Sequence, residues 1–185
     1  MGTLDNDYQL TENPITIPEV YDRHSQSQPS PDGRAIAFVD LGILGNSEPS
    51  RLITGQWDRA TNTLHSTEEV ASHNGFIWSP KYSPDGSRLA WYEIIGQEHH
   101  LAYITLGEPS AVTRIPLESY SPFAWSPNSD ALAYIDRNDI SRMIHIVGLD
   151  SSEIRTVTLP LLPPSLLTDV SILVADTSSL QWIVD

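Results

Sequence analysis

The sequence predicts an all-β fold assembled from repeated four-stranded units. Three observations carry that expectation. One eleven-residue pattern occurs three times, and each copy opens on a turn built from serine, proline and an aspartate or asparagine. Proline and β-branched residues also recur too often along the 185-residue chain for any helix of ordinary length.

The three copies are Ser30-Pro31-Asp32-Gly33 through Asp40, Ser83-Pro84-Asp85-Gly86 through Glu93, and Ser126-Pro127-Asn128-Ser129 through Asp136. Their prolines stand at 31, 84 and 127, so the spacings are 53 and 43. After the turn each copy reads aliphatic, alanine, aromatic, with an acid two positions on: Ile36-Ala37-Phe38 and Asp40, Leu89-Ala90-Trp91 and Glu93, Leu132-Ala133-Tyr134 and Asp136.

The turn has a local mechanism. Proline presets φ at the second position, Asp or Asn accepts backbone hydrogen bonds, and glycine takes the left-handed position that follows. Asp32, Asp85 and Asn128 are therefore expected to be turn residues rather than ligands of a cation. The apolar run after each turn reads as a buried strand. Phe76-Ile77-Trp78 and Pro122-Phe123-Ala124-Trp125 precede the second and third turns, so strand, turn and strand make a hairpin. Two further strands follow in each unit: 51–57 and 62–70 in the first, 99–106 and 111–117 in the second, 142–149 and 154–159 in the third. The greater length of the first unit fits a longer loop at Gly42–Pro49 or at Ser72–Gly75.

Four strands in a repeat of about 40–45 residues is the arithmetic of a β-propeller blade. Trp125-Ser126-Pro127 and Tyr82-Ser83-Pro84-Asp85-Gly86 resemble the propeller repeat of the TolB-like proteins, a relative of the WD repeat with S-P-D-G in place of the Trp-Asp signature. The resemblance covers about residues 20–160. It implies a propeller of the kind found in periplasmic interaction proteins, in cell-surface proteins and as the substrate-gating domain of prolyl-oligopeptidase-like peptidases. Ser129 departs from the pattern by replacing glycine, so the third turn is expected to differ.

Read this way, residues 1–185 form one propeller domain with blade-like repeats at about 20–71, 75–117 and 120–160. Strand candidates at 170–175 and 180–184 make a last partial blade within 166–185, completed by an N-terminal strand at 8–17. That gives roughly four blades, the small end of the known range of about four to eight. The alternatives are a piece of a larger propeller and self-association of two chains to complete one ring.

Charge narrows the function. Ten Lys+Arg stand against 24 Asp+Glu, a formal net charge of -14, and Lys81 is the only lysine. Such a surface repels nucleic acid and anionic lipid and attracts basic proteins and peptides. There is no cysteine, hence no disulfide framework, thiolate nucleophile or Cys-based zinc site. The N-terminus, Met1 to Asp7, is polar and acidic and does not read as a signal peptide. The expected location is the cytoplasm, or the periplasm or outside of the cell if a signal has been removed. The longest apolar stretch, Leu159 to Leu167, is broken by three prolines and is too short to span a bilayer.

No motif carries catalysis. Gly45-Asn46-Ser47-Glu48-Pro49 lacks the second glycine of a nucleophile elbow. No phosphate loop or placed carboxylate pair is present, and Asp5-Asn6-Asp7 does not continue as a calcium loop. His99 and His100 are neighbours on a strand, point to opposite faces and cannot both ligate one metal. No cofactor or metal is expected. Trp78, Trp91 and Trp125 fall at repeated strand positions and are expected in the core. Trp57 and Trp182 lie outside the repeat and are the candidate binding residues. The reading is a non-enzymatic module that binds or scaffolds a protein partner. A glycan-binding surface and an accessory domain of a larger peptidase-type protein are the alternatives.

Overall fold

The structure is a computed structural model that describes residues 3–4, 10–11, 24–41, 49–107, 111–136, 143–149 and 154–158. The described residues are all strand, turn and loop, without a helix. The chain divides into two compact units, Met1–Pro80 and Lys81–Asp185.

Two short strands, β1 (Thr3–Leu4) and β2 (Leu10–Thr11), pair with each other. Three four-stranded antiparallel sheets follow, each built of consecutive strands. The first holds β3 (His24–Pro29), β4 (Ala35–Asp40), β5 (Ser50–Asp58) and β6 (Thr63–His73). The second holds β7 (Gly75–Tyr82), β8 (Arg88–Ile95), β9 (Glu98–Thr105) and β10 (Thr113–Leu117). The third holds β11 (Phe123–Trp125), β12 (Ala131–Asp136), β13 (Met143–Gly148) and β14 (Ile154–Thr158). Four-stranded meanders of this kind are propeller blades, and the fold is all-β and of propeller type.

The repeated apolar run is the second strand of each blade. It lies between two strands and is covered on both faces, which explains its continuous apolar sequence where a half-exposed strand would alternate. Ala37, Phe38 and Val39, then Leu89, Ala90 and Trp91, are wholly buried, and so is Leu132. A side chain the size of leucine or phenylalanine contributes about 1.5–3 kcal/mol when fully removed from water.

The serine of each turn closes its hairpin from within. Ser30 donates its hydroxyl to Asp32 Oδ1 at 2.6 Å and accepts the Ala35 N–H at 2.9 Å. Ser83 repeats both contacts with Asp85 and Arg88. Gly33 and Gly86 donate to the serine carbonyls and have φ of 66° and 75°. In the third turn Ser129 adopts φ 64° and donates to the Ser126 carbonyl, so the backbone turn survives without glycine. The side-chain acceptor is displaced instead: Ser126 donates to Asp130 Oδ1 at 2.6 Å, two positions beyond Asn128.

The first blade is longer in its outer strands, with nine residues in β5 and 11 in β6. β6 runs through His73 and β7 begins at Gly75, so Ser72–Gly75 is not a long connection. β6 breaks register with β5 between Leu52/Ile53 and Thr54/Gln56. Gly55 sits at the second break because a Cβ there would come within 2.5 Å of Leu64 Cδ2. β3, His-Ser-Gln-Ser-Gln-Pro, has no apolar periodicity and is a strand through its pairing with β4. Most of the expected strand at 8–17, the loop at 42–48 and the expected blade at 166–185 lie outside the described residues.

Candidate functional site

The end of the first blade that carries its S-P-D-G turn also carries the β5–β6 hairpin. Trp57 begins that hairpin. Its backbone N–H donates to the Arg34 carbonyl, and its ring packs against the core cluster of Ile36, Phe38, Ile53 and Leu64. The indole N–H donates to Asn62 Oδ1 at 3.1 Å. The Arg59 guanidinium lies 5.1 Å from the ring centroid and donates from Nε to the Gly33 carbonyl at 3.0 Å. Trp57 is thus half-buried beneath an arginine. Trp182, the other candidate, lies outside the described residues.

Polar groups continue outward from Trp57. Thr61 Oγ1 donates to Asp58 Oδ2 at 2.7 Å and lies 2.7 Å from Thr63 Oγ1, which lies 2.8 Å from His65 Nε2. The Thr61 hydroxyl, then the Ala60 N–H, hold the Asp58 carboxyl below its ordinary value. Beyond them β6 presents Glu68 and Glu69 to solvent. This hairpin is a hydrogen-bonded, predominantly acidic surface.

The acid two positions after each repeated aromatic belongs to no catalytic or metal-binding motif in the sequence. The structure buries two of them. Asp40 is 4% exposed and pairs with Arg51, its cross-strand neighbour on β5. Glu93 is wholly buried, accepts the Trp91 indole N–H at 2.7 Å and pairs with Arg114 Nε at 2.5 Å. Trp91 and Arg114 are both cross-strand partners of Ala102, whose small side chain lets Arg114 lie over β9 toward Glu93. Buried carboxylates need such partners, because an unpaired charge is expensive to desolvate. The Asp136 side chain lies outside the described residues.

In the second unit a latch joins β7 and β11. The Lys81 ammonium donates to the Phe123 carbonyl at 2.6 Å and stands 4.8 Å from the Phe123 ring, while the Trp125 indole donates to the Lys81 carbonyl at 2.9 Å. Burial lowers the Lys81 pKa. Arg88 Nη1 donates to the Ser129 carbonyl at 2.7 Å, and the Asp85 N–H donates to Ser129 Oγ at 3.1 Å. These are packing contacts. Pro31, Pro84, Pro127 and Asn128 are exposed at their turns.

His99 and His100 separate as neighbours on a strand must. The Tyr92 hydroxyl contacts His99 Nδ1, whereas His100 Nε2 stands 3.9 Å from Glu98. Of the five tryptophans, Trp91 and Trp125 are buried, and Trp78 is half-buried and stacked on Phe76 with ring centroids 4.9 Å apart. Among the described residues no group of three or more histidine, aspartate or glutamate side chains is placed to hold a metal ion.

These blades and turns define a protein of β-propeller type. No protein-family model and no curated protein matches the sequence. Solved structures do. The chain is similar to TolB from Acinetobacter baumannii, with 17% identity and a TM-score of 0.53 over 72% of this chain and 32% of that one. It is similar to the β-propeller domain of the Trilobed protease from Pyrococcus furiosus, which has an open velcro topology, with 15% identity and a TM-score of 0.58 over 76% and 43%. It is also similar to Pyrococcus horikoshii acylaminoacyl peptidase, with 12% identity and a TM-score of 0.53 over 76% and 25%. Likeness at these identities is likeness of fold. The chain spans less than half the length of each of the three.

Proposed function

We propose that this chain is a non-enzymatic binding module whose propeller scaffold holds a protein or peptide partner, with basic partners favoured. The observation that carries the reading is how its chemistry is distributed. The buried carboxylates Asp40 and Glu93 are committed to arginines inside the blades. The exposed hairpin around Asp58, Glu68 and Glu69 is acidic, in a chain of net charge -14. A field of one sign steers partners of the other and repels nucleic acid. The test is retention of the protein on an immobilised arginine-rich peptide, with a glutamate-rich peptide as control. Retention at low salt that disappears at about 1 M, where the Debye length is about 3 Å, supports the reading. No retention at any salt overturns it. A glycan array that gives salt-resistant binding favours a glycan-binding surface instead, although Arg59 over the Trp57 ring leaves that indole little open face for a sugar.

A second reading has its own support. The similar structures include a protease and an acylaminoacyl peptidase, and the chain spans only part of each. An accessory propeller of a larger peptidase-type protein would look like this. An antibody against these residues would then detect a polypeptide much larger than 20.5 kDa in the source cells. Self-association to complete a ring predicts a dimeric mass in solution.

A further inference from the structure

We propose that Asn74 is a site of spontaneous covalent modification, where the chain converts its own asparagine to aspartate and isoaspartate through a cyclic imide. The proposal is independent of the binding-module reading. Asn74-Gly75 is the only Asn-Gly pair in the sequence. Asn74 is also the single residue between β6, which ends at His73, and β7, which begins at Gly75. It stands exposed at a bend, and no hydrogen bond or ion pair among the described residues holds its side chain. Asn62 is the contrast. It is half-buried, its Oδ1 accepts the Trp57 indole N–H at 3.1 Å, and the β-branched Thr63 follows it.

The reaction needs only water. The Gly75 amide nitrogen attacks Asn74 Cγ, the Cγ–Nδ2 bond breaks, and the departing nitrogen takes the Gly75 N–H proton and leaves as ammonia. Gly75 lacks the Cβ that would crowd this attack and restrict the backbone rotation it requires. Water then opens the five-membered imide at either carbonyl. Cleavage of the Cγ–N bond gives aspartate. Cleavage at the main-chain carbonyl gives isoaspartate, whose backbone runs through Cβ and Cγ and is one atom longer. Each product adds one negative charge to a net charge of -14. Only isoaspartate strains the junction. Buried Ser50 is the cross-strand partner of His73, and its hydroxyl donates to the Gly75 carbonyl at 2.7 Å. Ser50 therefore holds the chain on both sides of Asn74, and an added backbone atom between them pulls the carbonyl from the hydroxyl.

The test is incubation of the full chain at mildly alkaline pH and physiological temperature, read by mass spectrometry of the tryptic peptide 60–81, which holds both Asn62 and Asn74. A gain of about 1 Da confined to Asn74 is expected, rising to about 3 Da in oxygen-18 water, because water supplies the new oxygen. Fragment spectra separate isoaspartate from aspartate. Gly75 has none of the positive φ of Gly33 and Gly86, so alanine fits its backbone. Gly75→Ala is expected to slow the gain by roughly tenfold or more, which is about 1.4 kcal/mol on the barrier. The purified isoaspartate form is expected to unfold at lower urea than Asn74→Asp, and Ser50→Ala is expected to erase that difference. Circular dichroism checks that the variants keep their β spectrum. No gain in the folded chain while a free peptide of residues 73–78 converts overturns the proposal. So does a gain that appears only in urea, equal conversion at Asn62, or an unchanged rate in Gly75→Ala. Equal urea midpoints for the two products overturn the strain assigned to the junction.

Discussion

Gln26 and Ser79 occupy the same place in successive repeats, four residues ahead of the S-P-D-G serine, and the first caps the second. Both are non-glycine residues with positive φ, 48° and 52°, and the Ser79 N–H donates to Gln26 Oε1 at 2.5 Å. Gln26 lies where β3 breaks register with β4, between Ser25 and Ser27. A buried or half-buried backbone N–H needs an acceptor, and here a side chain from the preceding repeat supplies one to Ser79. The third repeat has Pro122 at this place, which has no N–H to satisfy.

Replacing Gln26 by alanine keeps the backbone strain and removes the acceptor. Gln26→Ala is expected to lower stability by about 0.5–1.5 kcal/mol, the net worth of one hydrogen bond. Urea unfolding reads it, and an unchanged midpoint would show that the Ser79 N–H does not depend on Gln26.

Gly33 and Gly96 share φ 66° but not surroundings. A Cβ on Gly33 would lie 1.6 Å from Arg59 Nη2, while one on Gly96 meets nothing within 4 Å. Alanine at either place strains the backbone by about 1–2 kcal/mol. Gly33→Ala must also displace Arg59 from its carbonyl and from Trp57, for a further loss of about 1 kcal/mol. In an Arg59→Ala background that extra loss should vanish. A double-mutant cycle by thermal melting decides it.

The third turn separates two residues that its sequence makes look alike. Asp130→Ala is expected to lower stability by about 1–2 kcal/mol, because the nearly buried Ser126 hydroxyl loses its acceptor. Asn128→Ala, at an exposed position, should change it by less than about 0.5 kcal/mol. Equal effects, read by urea unfolding, would return the capping role to Asn128.

Asp85 gives an acid-side test. The Ser83 hydroxyl, followed by the Ser87 N–H, lowers its pKa from 3.8 to about 2. A carboxyl depressed in the folded state contributes stability that is full above the unfolded value and lost as pH falls through the folded one. The stability difference between the natural chain and Asp85→Asn should therefore be flat above about pH 5 and shrink between 3.8 and about 2. Urea midpoints across that range measure it, and a difference constant down to pH 2 would refute it.

Tyr92 tests the alkaline side. Burial, with Tyr120 adding to it, pushes its phenol from 10.0 up to about 12. The neutral phenol is favoured by folding, so its contribution is complete below the unfolded value and is lost as pH rises through the folded one. Tyr92→Phe should differ from the natural chain by a constant amount below pH 10.0 and by a declining amount from there to about 12. Absorbance titration of the folded protein should lose one late-titrating tyrosine in the variant.

The repeated second strands and the three turns were legible in the sequence because their determinants are local. Ser30, Asp32 and Gly33 meet within four residues, and a strand covered on both faces must be apolar throughout. Trp91 and Trp125 followed from the repeat for the same reason. β3 was not legible, since His24–Pro29 has no apolar period and becomes a strand only by pairing with β4. Nor was the state of Trp57, which depends on Arg59 lying over its ring.

By itself, the sequence determined that this is an all-β chain of propeller-type repeats with a net charge of -14. Those properties depend on composition, on period and on contacts made within a few residues. Tertiary structure alone decided that Asp40 meets Arg51, that Glu93 meets Arg114 across β9, that Gln26 caps Ser79, and that β6 is a long outer strand with two glutamates at its middle. Each depends on register, bulges and what packs over a sheet face. Shifting a strand by one residue sends every side chain to the opposite face, so such contacts follow only when all the strands of a blade are in place.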